Sequence, residues 1–157
     1  MTYRFMRLAA TIVTLAAAAA CGRGGDQQAA PGATAKPQGL KIAMIAKSST
    51  NPVFLSARTG AEAAAKEQSQ KHGIPVEIVW LTPPAEDGQV QAQRLTQVVN
   101  EGASAVLISC SDAAKVTGAI NDAVARGVPV MTFDSDAPDS ERFAFYGVDD
   151  LKTGQAV

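Results

Sequence analysis

Residues 105–136 read AVLISCSDAAKVTGAINDAVARGVPVMTFDSD, and this stretch decides the fold. Ala105 to Ser109 is a short apolar run of strand length. Ser111 or Asp112 then supplies a helix cap. Over Ala113–Arg126, Val116, Ile120 and Val124 recur every four residues, the spacing of one buried helix face. Gly127 ends that helix, and Val128–Phe133 is a second apolar run. Strands that are apolar almost throughout are covered on both faces, and strand–helix–strand with short connections implies a right-handed crossover between parallel neighbours.

The same alternation extends in both directions. Upstream, Lys41–Ala46 (KIAMIA) reads as a strand, Pro52–His72 as an Ala-rich helix, Val76–Leu81 (VEIVWL) as a strand and Gln89–Asn100 as a helix. Asn51 is a good cap for the first helix, Pro52 suits its first position and Gly73 its end. In the next helix Val90, Leu95, Val98 and Val99 form one side. Downstream, Phe143–Val148 is a fifth strand and a further helix begins near Leu151. The expected architecture is an α/β doubly wound parallel sheet. In such sheets ligands bind beyond the carboxyl ends of the strands, which directs attention to the loops after Ala46, Leu81, Ser109, Phe133 and Val148.

The first forty residues are of another kind. Arg4 and Arg7 precede an uncharged Ala-rich run, Leu8–Ala20. That run has the length of a signal-peptide core and falls short of the roughly 20 residues of a membrane span. Residues 1–21 are read as an export signal ending at Cys21. Residues 22–39, rich in Gly, Ala, Gln and Pro, cannot bury enough surface to offset their ordering entropy and are read as a tether. Fully extended, these eighteen residues would reach about 60 Å at roughly 3.3 Å each.

Composition narrows the function. Without Arg4 and Arg7 the 14 basic residues fall to 12, against 15 acidic ones, and no basic stripe exists, which argues against nucleic acid. His72 is the sole histidine and Cys110 the only cysteine after Cys21, so no Cys/His metal cluster and no cofactor are expected. There is no G-x-S-x-G elbow, P-loop or dinucleotide fingerprint. The run Phe133-Asp134-Ser135-Asp136 resembles the D-x-D nucleophile loop of dehalogenase-type phosphatases, but Pro138 stands where that loop wants Thr or Val. No enzyme is expected.

Three blocks together carry a resemblance: KIAMIAKSSTNPVF, the stretch quoted above, and YGVDDLKTGQ. In this order, behind a signal whose AAAC end resembles a bacterial lipobox, they resemble the type I periplasmic binding proteins, in particular the ribose- and galactose-binding group. The resemblance implies a flavodoxin-like strand order and the first lobe, residues 40–157, of a longer two-lobed protein. It implies export to the outer face of the cytoplasmic membrane, a lipid anchor on Cys21, and a monomer that hands a sugar or small polyol to an ABC permease and its ATPase. A sensor of the same fold, feeding a chemotaxis or two-component partner, is the alternative.

By the same resemblance Asn51, Phe54 and Asp134 are ligand residues. An amide both donates and accepts, an aromatic face suits a sugar's C–H face, and a carboxylate accepts hydroxyl hydrogen bonds strongly. Val53 replaces a second aromatic of the ribose binders, and Ser135, itself a candidate ligand residue, replaces their arginine. Lys47, at the end of the first strand, is a further candidate donor. Asp149 and Asp150 lie where the chain would leave the lobe, with hinge and capping roles. Trp80 is expected to pack under the Pro83-Pro84 loop.

Overall fold

Among the described residues three left-handed glycines, Gly73, Gly102 and Gly127, punctuate the fold. A computed structural model describes residues 39–156; the expected signal, Cys21 and the expected tether up to residue 38 lie outside the described residues. Strand β1 (Leu40–Ile45) leads to helix α1 (Pro52–His72), whose end is the positive-φ residue Gly73. Strand β2 (Val76–Trp80) leads to α2 (Gly88–Asn100), and β3 (Ala105–Ile108) to α3 (Ala113–Ala125). Beyond α2 and α3, Gly102 and Gly127 again have positive φ. In both cases the glycine N–H and the next N–H turn back onto the helix: Gly102 to Val99 and Ala103 to Val98, then Gly127 to Val124 and Val128 to Ala123. These are Schellman caps, which only glycine enters without steric cost. Strands β4 (Val130–Phe133) and β5 (Ala144–Tyr146) and helix α4 (Asp150–Gln155) follow.

The five strands are all parallel, in the order β2-β1-β3-β4-β5. This is the doubly wound, flavodoxin-like order expected. Right-handed crossovers that run in opposite directions from β1 put α1 on one face and α2 and α3 on the other. The main core lies on the second face, where Ala43, Ile45, Val106, Ile108 and Val130 meet Leu95, Val98, Val116, Ile120 and Ala123.

Several bounds differ from the sequence reading. Strand β4 starts at Val130 rather than Val128, because the Val128 N–H is spent on the Schellman cap. On α2 Gln91 is fully buried like Leu95, whereas Val90 is only partly buried. Asp112, not Ser111, caps α3, accepting from the Lys115 N–H, a bond that lowers its pKa. Trp80 carries the Arg58 guanidinium 5.5 Å from its ring centroid, a cation–π contact the sequence did not suggest.

Candidate functional site

The point where strand order reverses lies between β1 and β3, and a doubly wound sheet opens its ligand crevice there. Lys47 follows β1 by two residues. Ser109 is the first residue beyond β3, and Asp134 the first beyond β4. These three side chains meet. The Lys47 ammonium lies 3.3 Å from Oδ2 of Asp134. The Ser109 hydroxyl donates to the same oxygen at 2.8 Å, and the Ser135 hydroxyl at 3.4 Å. Oδ1 of Asp134 accepts no hydrogen bond among the described residues. Lys47, Phe133, Asp134, Ser135 and Tyr146 face an open cavity of about 450 Å³.

The backbone under Asp134 is unusual. Asp134 is the sole non-glycine residue of positive φ among the described residues, at φ 60. The Ser135 N–H returns to the Phe133 carbonyl at 2.6 Å across it, closing a three-residue turn, while the Asp134 N–H holds the Tyr146 carbonyl at 3.0 Å. A non-glycine residue in this region costs about 1–3 kcal/mol, and such residues concentrate at functional sites. The turn carries the carboxylate into the cavity at the mouth of the sheet.

The loop beyond is locked. Arg142 bonds both oxygens of Asp136, and the Thr132 hydroxyl and the Ala137 N–H bond Oδ1 as well. The arginine bonds, outweighing partial burial, hold the Asp136 carboxyl at about 2. Such a group carries no proton near neutrality, so it is unsuited to the leaving-group role of a D-x-D phosphatase. Cys110 is buried, and burial, aided by the charge of Asp136, pushes its thiol up to about 12. It behaves as a small apolar residue rather than a nucleophile.

Asn51 and Phe54 stand apart from this cavity. Oδ1 of Asn51 accepts from the Val53 N–H at 3.0 Å and caps α1. Its Nδ2 has no partner among the described residues. Phe54 is 4% exposed and packs inward, whereas its neighbour Val53 is 66% exposed. The first turn of α1 thus turns Val53 outward and buries Phe54. Asp149 caps α4, accepting from the Lys152 N–H at 3.0 Å, and that bond first, then the Lys152 ammonium, lowers its pKa. Asp150 is the first residue of α4.

Three residues important to the site escaped the sequence reading. Gln91 is 0% exposed; its amide donates to the carbonyls of Ala46 and Ser109 at 3.0 and 2.7 Å and accepts from the Ser111 N–H at 2.8 Å. It ties the end of β1 to the end of β3. Its signal was a polar residue in register with Leu95, Val98 and Val99 on a buried helix face. Ser109 and Arg142 had no comparable pattern, since their partners are 25 and 6 residues away and share no period.

Residues 42–157 match the model of a periplasmic binding protein domain. The ribose import binding protein RbsB of Bacillus subtilis (strain 168) is 26% identical over 136 residues, which are 87% of this chain and 42% of the relative. Among solved structures, a mutant XylFII–LytSN complex is similar with TM-score 0.66 and 31% identity, over 76% of this chain and 41% of that one. An ABC transporter solute-binding protein from Burkholderia graminis, in complex with D-arabinose, is similar with TM-score 0.65 and 26% identity, over 76% of this chain and 39% of that one. The chain thus spans about two-fifths of the length of these relatives.

Proposed function

The chain belongs to the periplasmic binding protein family, and on that premise we propose that it forms one lobe of a solute-binding protein that captures a neutral sugar or polyol and does not transform it. The observation that carries this reading is the Lys47–Asp134 pair at the sheet's switch point. The pair leaves one carboxylate oxygen as an acceptor and the other protons of an ammonium as donors. A hydroxyl both donates and accepts, so a polyol satisfies the two groups together. The cation and anion offset each other, which favours an uncharged ligand. Ser135 adds a hydroxyl, and the free amide end of Asn51, at the cap of α1 apart from this cavity, is a further candidate donor.

The whole protein would hand its ligand to an ABC permease and its ATPase, as a monomer held at the outer face of the membrane by lipid on Cys21. Two or more acyl chains suffice for stable anchoring. The ABC transporter relatives favour import. The likeness to XylFII in complex with LytSN favours a second reading, in which the loaded protein docks on a signalling partner. Calorimetric titration of the full-length protein with pentoses, hexoses and sugar alcohols tests the shared part. Saturable binding with the sugar recovered unchanged is expected, and conversion of any of them would overturn it.

A further inference from the structure

Ser109 is 0% exposed, so it touches no ligand in the cavity, yet all its polar groups are committed around the site. Its N–H donates to the Ile45 carbonyl at 3.0 Å, its carbonyl accepts from Gln91 at 2.7 Å, and its hydroxyl donates to Oδ2 of Asp134 at 2.8 Å. Gln91 also holds the carbonyl of Ala46, the residue before Lys47. One buried amide therefore fixes the roots of both residues, Lys47 and Ser109, that grip Oδ2.

We propose that Ser109 is a positioning residue for ligand capture, whose hydroxyl pins Oδ2 of Asp134 so that the carboxylate offers Oδ1 alone, to a single ligand hydroxyl. This rests on Asp134 being a ligand acceptor. A carboxylate on a partly exposed turn has a broad, two-fold torsion about its last bond, and either oxygen would serve. Three donors converging on Oδ2 break that equivalence. Only Ser109 among them is wholly buried, so only its bond is shielded from water. A carboxylate oriented before the ligand arrives has less freedom to lose on binding. It also has no second free oxygen, so it does not grip two neighbouring hydroxyls at once.

The test uses the full-length protein and, as probe, whichever of D-ribose, D-arabinose, D-xylose, D-galactose and D-glucose binds tightest by calorimetry. Ser109→Ala is expected to weaken the probe about tenfold, the scale of one hydrogen bond to a charged group. Ser109→Cys, which keeps the shape with a weaker donor, should fall between. Adding Ser109→Ala to Asp134→Ala should change affinity no further. Unchanged affinity in Ser109→Ala, or the same tenfold loss in the Asp134→Ala background, would overturn the proposal, because a merely structural serine acts without Asp134. If none of the five sugars binds, it is the sugar-capture reading that fails. The positioning is then read from crystal structures of the ligand-free protein and Ser109→Ala: a carboxylate that turns away from Lys47 supports it, and one that stays in place overturns it.

Discussion

Arg142 grips both oxygens of Asp136 with one edge of its guanidinium, Nε to Oδ1 at 2.5 Å and Nη2 to Oδ2 at 2.6 Å. The two residues bracket the loop between β4 and β5, and the grip fixes the segment that follows the strained Asp134. A planar fork on a carboxylate gives direction as well as attraction. The consequence is visible in acid. The folded carboxyl sits at about 2, below the ordinary aspartate value. Its stabilisation is therefore present above about pH 4 and lost as pH falls toward 2. With partial screening at this half-buried site it is worth about 1–2 kcal/mol. Urea unfolding between pH 2 and 5 should show the protein losing that much more stability on acidification than Arg142→Met. Parallel profiles would remove the ion pair from the account.

Gln91 is fully buried and makes three hydrogen bonds. Gln91→Leu keeps the bulk and leaves two carbonyls and one N–H without their partner. Each buried group left unpaired costs about 1–3 kcal/mol, so denaturant unfolding should show a loss of about 3 kcal/mol or more. A variant within about 1 kcal/mol of the parent would mean that the strand ends do not depend on this amide.

Backbone strain at Asp134 separates stability from function. Glycine enters positive φ freely, whereas alanine meets a steric cost of about 1–2 kcal/mol. Asp134→Gly should therefore melt higher than Asp134→Ala, while both bind sugar poorly. Equal melting temperatures would show that the turn relaxes when the carboxylate is lost.

Phe54 and Val53 should part in the same way. Phe54→Ala removes a buried ring and should cost about 3–5 kcal/mol of stability. Val53→Ala, at an exposed site, should stay within about 0.5 kcal/mol. Denaturation of the two variants checks this, and a Phe54→Ala protein as stable as its parent would return the ring to the ligand.

Much of this was legible in the sequence because the fold speaks in periods. Val116 and Ile120 on one helix face, Asn51-Pro52 at a helix start, and the glycines at 73, 102 and 127 each state a local rule that the structure obeys. The order β2-β1-β3-β4-β5 follows from short right-handed crossovers. The site was less legible, because it is made of contacts between strand ends. Lys47 and Asp134 could be named separately as residues beyond strand ends, but nothing in the order of residues states that one ammonium and one buried serine converge on one oxygen. Phe54 is harder to read, because adjacent residues of a helix lie about 100° apart and only the packing decides which of Val53 and Phe54 is buried.

We propose that Asp134 accepts a ligand hydroxyl at the mouth of the sheet. The most direct measurement is calorimetric titration of the full-length protein and of Asp134→Ala with the tightest-binding sugar. Loss of a charge-assisted bond of about 1.5–3 kcal/mol predicts affinity roughly ten- to a hundredfold weaker in a variant that still folds. An Asp134→Ala protein that binds the sugar as tightly as its parent would contradict the account.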